Sequence, residues 1–154
     1  MLKALEAGQH AQALQEFERA LKASPDDPAA LRGRGLVRRA RGEHAQALQD
    51  LSHWARVDPD NAEAHWLAAH TALALGRHDE ALASIERLIE KQPDYQRGGA
   101  FQLRATLQVK RGDFGRALED ARRACDLGNA EGCKVIKDNQ AAKGDAPRRR
   151  AGKR

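Results

Sequence analysis

The chain has 154 residues, of which 41% are apolar and only 4% aromatic. This length is sufficient for one domain with a buried core. The first residues, MLKALEAGQH, lack the basic region and apolar stretch of a signal peptide, and no segment approaches the ~20 apolar residues of a membrane span. We therefore expect a cytoplasmic protein without a membrane span; a periplasmic or extracellular location remains open if upstream sequence is missing.

The formal net charge of +5 is confined to the carboxyl-terminal end of the chain. Residues 141–154 contain six Lys or Arg residues and one Asp, which accounts for the entire excess. The remaining body is neutral, which argues against a body-wide nucleic-acid surface. We expect residues 141–154 to form a basic, disordered tail. The alternative is weak, charge-driven association of this tail with nucleic acid or an anionic surface.

Four features recur together along the chain and define its organisation. Glycines stand at Gly8, Gly42, Gly76 and Gly112, and an Ala-Leu pair begins five residues after each of them. Proline follows seventeen residues after the first three glycines. A glycine that ends one helix and a proline that prevents the next from continuing predict a series of helical hairpins. In chain order, the predicted helices are 10–23, 28–41, 44–57, 62–75, 78–91, 99–111, 114–127 and 130–140.

Three segments in this register, GQHAQALQEFERALKASPDDP, GEHAQALQDLSHWARVDPDN and GRHDEALASIERLIEKQPDY, resemble tetratricopeptide repeats. The resemblance implies an all-α fold, a right-handed α/α superhelix (solenoid) of about 3.5 hairpins with a capping helix. The repeat domain would occupy residues 1–140, with units at about 1–27, 28–61, 62–97 and 98–128 and the cap at 129–140.

The first unit has only residues 1–7 ahead of its glycine, so most of its first helix is missing. Because unpaired apolar surface at the end of a repeat array favours association, we expect possible self-association through this incomplete repeat. The second and fourth units carry Arg34 and Arg104 where the family usually has leucine.

The resemblance also implies a concave groove, lined by the first helices of the hairpins, that takes a peptide or protein segment. The helix AEAHWLAAHTALAL has no charge between Glu63 and Arg77, and it would lie at the centre of this groove. Trp66 is therefore either an anchor for a partner or a packed core residue. The groove positions implied by the family are Arg32, Leu36, Arg39, Trp66, His70, Leu73, Gln102, Thr106 and Val109.

Nothing in the sequence predicts catalysis, a metal site or a cofactor. His10, His44 and His78 recur at intervals of 34 residues, but equivalent residues of stacked helices are ~8–10 Å apart and too distant to share a metal ion. No glycine-rich phosphate loop and no GxSxG motif is present.

Cys125 and Cys133 admit two interpretations. Their spacing resembles cysteine-rich α/α-repeat relatives of the tetratricopeptide family, which implies a possible disulfide in an exported protein. The alternative is two reduced, buried thiols, which the missing export signal favours. The leading hypothesis for function is a non-catalytic scaffold or adaptor. The alternatives are association with nucleic acid or an anionic surface through the tail, and an exported repeat protein with a hydrolase or small-molecule-binding role.

Overall fold

The computed structural model describes residues 2–144, with side chains from residue 6 onward. This range contains eight α-helices and no strand. The helices are α1 (Leu2–Ala23), α2 (Pro28–Ala40), α3 (His44–Val57), α4 (Ala62–Ala74), α5 (His78–Lys91), α6 (Gly99–Lys110), α7 (Phe114–Asp126) and α8 (Ala130–Gly144). The predicted all-α fold is confirmed, and the predicted bounds of α2 to α7 agree to within one residue. Among the described residues, no helix is long and apolar enough to cross a membrane.

The first helix differs from the prediction. A break was expected at Gly8, but α1 runs without interruption from Leu2 to Ala23. Gly8 is flanked by Ala, Leu, Glu and Gln, which favour helix, and a single glycine costs only ~1 kcal/mol there. No heavy atom lies within 4 Å of the position that a Gly8 side chain would take. The repeated glycine ends a helix only where the next helix folds back beside it.

The last helix also extends further than expected. It continues to Gly144 rather than ending at residue 140, so residues 141–144 belong to α8 and not to the tail. The remaining tail, residues 145–154, lies outside the described residues.

Short polar side chains begin four of the helices. The Asp27 carboxylate accepts hydrogen bonds from the amides of Ala29 and Ala30 at 2.9 and 3.2 Å, and Pro28 occupies the first turn, where no amide is needed. Asn61, Asp113 and Asn129 cap α4, α7 and α8 in the same way. These caps satisfy amides that a helix cannot pair internally.

The turns within the hairpins follow the glycine register. Gly42, Gly76 and Gly112 have φ values of 77°, 70° and 78°, a left-handed conformation that other residues adopt only with strain. At the first of these turns, the amide of Glu43 donates to the carbonyl of Arg38 at 2.8 Å. The sharp turn returns the chain antiparallel to the preceding helix.

The chain divides into two compact units, Met1–Tyr95 and Gln96–Arg154. In the first unit, α1 to α5 pack in chain order, each against the next. Ala47 and Ala81, the small residues predicted at close helix contacts, are fully buried beside Leu51, Ile85 and Leu88. The ring of Phe17 in α1 occupies the space beside Gly33, so part of the apolar face of α1 is covered by α2. Self-association through α1 remains a prediction.

In the second unit, α7 packs against both α6 and α8. The unit begins with a left-handed stretch, in which Gln96, Arg97 and Gly98 have φ values of 53°, 50° and 80°. A side chain at Gly98 would meet the backbone of Ala124 at 2.9 Å, so only glycine fits. Gln96 and Arg97 therefore take a strained conformation just before α6.

Candidate functional site

The six predicted groove residues of the first unit lie on α2 and α4. Trp66, His70 and Leu73 are half-buried on α4, and Leu36 and Arg39 are half-buried on α2. The ring of Trp66 contacts the edge of the His70 ring, with centroids 4.3 Å apart, and approaches the Tyr95 ring at 5.5 Å. Trp54, by contrast, is only 4% exposed. The Trp66 side chain therefore packs partly against neighbouring rings and is partly exposed to solvent.

One ion pair connects α2 with α4, and a second positive charge on α2 acts on a histidine of α4. Arg32 donates two hydrogen bonds to Glu63, at 3.1 and 2.8 Å, in an ion pair whose side chains are both more than a third exposed. Arg39 lies near enough to His70 to affect its titration. Arg32 is therefore already paired, and an acidic ligand would have to compete with Glu63 for it.

The surroundings of His70 shift the pKa of its imidazole ring. Burial, followed by the positive charge of Arg39, lowers the pKa of His70 below its ordinary value. Its Nε2 atom is buried and has no hydrogen-bond partner among the described residues. The ring is consequently a neutral, partly apolar surface at pH 7, which supports the aromatic contact with Trp66.

The three predicted groove residues of the second unit, Gln102, Thr106 and Val109, line one cavity. This cavity, which we call the α6–α8 cavity, has a volume of about 370 Å³ and is also lined by residues of α7 and α8. Val109, Phe114 and Val135 contribute to its wall and are 49%, 68% and 39% exposed. Only two other large apolar side chains, Val57 and Leu127, are comparably exposed in the described chain. Exposed apolar surface is therefore concentrated at this cavity.

The polar groups of the α6–α8 cavity are mostly neutral. The Thr106 hydroxyl donates to the backbone carbonyl of Gln102 at 3.1 Å. The Gln102 Oε1 atom is buried and accepts no hydrogen bond from the described residues. Lys110 and Asn139 complete the polar lining. A largely apolar wall with few charged groups suits an apolar side chain of a partner.

Sequence reasoning missed two buried ion pairs. Arg34 forms a two-pronged pair with Asp50 at 3.0 and 2.7 Å, and Arg38 donates to the same carboxylate at 2.7 Å. Arg104 and Asp120 repeat the arrangement at 2.8 and 2.9 Å. Arg34 and Arg104 each precede their aspartate by sixteen residues. The two arginines that depart from the family pattern therefore join the two helices of their hairpins, and that spacing was the available signal.

Cys125 and Cys133 are joined in the structure by a disulfide, with their Cα atoms 4.6 Å apart. The bond connects the end of α7 to the first turn of α8. Gly132 permits this close approach, because a side chain there would meet the carbonyl oxygen of Ala121 at 2.8 Å. The structure therefore contains the disulfide and not the two reduced thiols that the missing export signal favoured.

The histidines do not gather into a metal site. His53 contacts the Asp26 carboxylate at 2.7 Å, and the Nε2 atom of His65 lies 2.8 Å from the carbonyl oxygen of Pro59. Within residues described by the structure, no three His, Cys, Asp or Glu side chains are arranged to hold a metal ion.

Comparison with solved structures finds the same fold in MamA. One crystal structure of MamA superposes with a TM-score of 0.73 at 18% identity, covering 92% of this chain and 95% of that one. A second has a TM-score of 0.74 at 17% identity, covering 94% and 91%. MamA 41-end from Desulfovibrio magneticus RS-1 gives 0.68 at 19% identity, covering 79% and 67%. At these identities the likeness concerns the fold alone. A search of curated proteins gave no match.

Two family models, both described as Tetratricopeptide repeat, match residues 2–55 and 38–107. Together they cover more than half of the chain and include α1 to α5 with most of α6. Proteins built from these repeats act as scaffolds for protein interactions, and that general role is the one the match supports here. The chain belongs to the tetratricopeptide repeat family.

Proposed function

We propose that this chain is a non-catalytic scaffold or adaptor that binds a peptide or protein segment, with one candidate binding surface in each unit: α2 and α4 in the first, and the α6–α8 cavity in the second. The observation that carries the proposal is the concentration of exposed apolar side chains at the α6–α8 cavity. Three of the five large apolar residues exposed in the described chain line it. Soluble proteins seldom leave such surface clustered unless it is an interaction site.

The chemistry of the α6–α8 cavity favours an apolar anchor from the partner. Its volume of about 370 Å³ lies in the range of small ligand pockets and accommodates a large side chain.

The face formed by α2 and α4 favours an apolar group accompanied by an acidic one. Trp66 and Leu73 offer apolar surface, and Arg39 supplies positive charge beside the neutral ring of His70. Trp and Arg are common among residues that dominate binding energies at protein interfaces. We propose that Trp66 serves as an anchor here and that Arg39 attracts the acidic group.

The test begins with selection of peptides from a random display library on the intact, immobilised protein. A selected peptide is then titrated calorimetrically against wild type and Val109→Asp. We expect this substitution to weaken binding at least about tenfold, because it places a charge in the apolar wall. Val57→Asp is the matched control, since Val57 is also exposed but lies on α3.

Equal loss of affinity in the two variants would contradict the proposal, as would normal binding by Val109→Asp. Melting curves on each variant separate a binding effect from unfolding. Since Val109 is 49% exposed, the substitution should change stability by less than ~0.5 kcal/mol.

A further inference from the structure

A second cavity lies in the first unit, between α3 and α5, which are the second helices of their hairpins. This α3–α5 cavity has a volume of about 540 Å³. Ser52 and Arg56 of α3 line one part of its wall, and Ser84, Arg87 and Lys91 of α5 line another. None of these residues belongs to the proposed peptide-binding face.

An equivalent cavity occurs one repeat earlier and provides an internal comparison. This α1–α3 cavity has a volume of about 470 Å³ and is lined by Glu18, Lys22 and His53, among others. These positions precede Ser52, Arg56 and Arg87 by one 34-residue repeat. Pro25 and Pro59 correspond in the same way. The same backbone framework therefore carries two different sets of side chains.

The charges on the wall of the α1–α3 cavity are largely neutralised within the protein. The buried Leu21 occupies part of its wall, and Glu18 supplies negative charge. His53 is occupied by its 2.7 Å contact with Asp26. Arg34, which also lines the cavity, is paired with the buried carboxylate of Asp50. Arg34 and His53 thus each have an acidic partner, and Lys22 shares the wall with Glu18.

The α3–α5 cavity differs at each of those positions. Ala55 and Ser52 stand where the earlier cavity has Leu21 and Glu18. Arg87 replaces His53. In the described chain, Arg56 and Arg87 form no ion pair, while Lys91 pairs with Asp60 at 2.7 Å. Three cations therefore face one carboxylate, in a wall where serine and alanine replace one acid and one bulky side chain.

We propose that the α3–α5 cavity binds a small phosphomonoester that carries hydroxyl groups, such as a sugar phosphate. A phosphomonoester is nearly dianionic at neutral pH and matches the excess of two positive charges, whereas a single carboxylate does not. Arginine binds phosphate oxygens through a planar fork of N–H groups. Ser52, Ser84 and Asp60 supply hydrogen-bonding groups for the hydroxyls of the same ligand.

The lining also distinguishes this ligand from a nucleotide. No Phe, Tyr or Trp side chain lines the α3–α5 cavity, so a base would lack an aromatic surface for stacking. The His65 ring is only 8% exposed, and its Nε2 atom is engaged with the Pro59 carbonyl. A polar, saturated ligand therefore fits this wall better than a planar one.

The test is calorimetric titration of the intact chain with glucose 6-phosphate, inorganic phosphate and glucose. We expect saturable binding of glucose 6-phosphate, weaker binding of inorganic phosphate, and none of glucose. Arg56→Gln and Arg87→Gln should each raise the Kd for glucose 6-phosphate at least about tenfold, because each removes charge-assisted hydrogen bonds. The matched control is Lys22→Gln, the position equivalent to Arg56 in the α1–α3 cavity, which should leave the Kd unchanged.

Three results would overturn the proposal. The first is the absence of saturable binding of glucose 6-phosphate. The second is an equal loss of affinity in Lys22→Gln and Arg56→Gln, which would indicate a diffuse charge effect. The third is equal affinity for inorganic phosphate and glucose 6-phosphate, which would eliminate the contribution of the hydroxyls. Arg56 and Arg87 are exposed, so these glutamine variants should remain folded, and peptide binding by α2, α4 and α6 should be unaffected.

Discussion

At the residue scale, buried charge is the most consequential feature of the first unit. The Asp50 side chain is only 4% exposed, and it accepts hydrogen bonds from both Arg34 and Arg38. A carboxylate removed from water in this way depends on its partners, and the two arginines depend on it. The arrangement fixes α2 against α3 through directional contacts in addition to apolar packing.

Asp50→Asn should lower the free energy of unfolding by about 3 kcal/mol, because it leaves two partly buried arginines without a counter-charge. Chemical denaturation measures the loss. Glu63→Gln is the control, since the exposed Arg32–Glu63 pair should contribute less than ~1 kcal/mol. Equal effects of the two substitutions would show that burial adds nothing to the Asp50 contacts.

His70 makes stability depend on pH. Burial and Arg39 lower the pKa of His70, so the folded protein binds a proton less readily than the unfolded chain. Below the ordinary histidine pKa of about 6.5, the unfolded state therefore takes up more protons, and its share of the equilibrium increases. This contribution to stability is present above that pH and is lost as the pH falls toward the lowered pKa.

We expect His70→Phe to lose less stability than wild type between pH 7.5 and 5.5, and Arg39→Gln to give an intermediate result. Thermal melts over this pH range supply the comparison. An unchanged slope in His70→Phe would mean that other groups cause the pH dependence.

At the scale of elements, α8 is held closely to α7 at its first turn. Gly132 is buried there, and a side chain would meet Ala121 and Ala124 at 2.8 Å. The three atoms nearest to that added side chain all belong to α7, and two of them are backbone atoms that cannot rotate away. The small residue at this position thus permits the disulfide between Cys125 and Cys133.

Gly132→Ala should destabilise the protein by about 1–3 kcal/mol through this overlap, even though alanine favours helix. Gly8→Ala is the matched control, because Gly8 is also helical but has open space around it. That variant should gain up to ~1 kcal/mol. Denaturation curves of the two variants should therefore shift in opposite directions, and a shift in the same direction would contradict the close packing of α8.

Much of the element structure could be predicted because its signals are local. Glycine, proline and capping residues set the ends of α2 to α7, and each acts through its own backbone or the next turn. Gly8 misled the prediction because a glycine ends a helix only when tertiary packing favours the turn. The Arg34–Asp50 contact could not be predicted from local signals, since it depends on which faces of two helices meet. For the same reason, the sequence placed Trp66 on one face of its helix but did not decide whether it packs in the core or contacts a partner.

At the scale of the whole molecule, two sets of helices have different proposed roles. The first helices of the hairpins, α2, α4 and α6, are proposed to bind a peptide or protein segment. The second helices, α3 and α5, are proposed to bind a small phosphomonoester. Family membership supports a scaffold for protein interactions, and the exposed side chains suggest which faces are used.

Methyl NMR spectroscopy with a library-selected peptide tests the peptide-binding claim most directly. The protein is labelled at leucine and valine methyl groups and titrated with that peptide. We expect saturable shifts at Leu36 and Leu73 or at Val109 and Val135, which lie on the proposed binding surfaces. The methyls of Val57 and Leu127, which are exposed at the ends of α3 and α7, should remain unchanged. Shifts confined to Val57, Leu127 and other methyls of α3 and α5 would contradict the proposed binding surfaces.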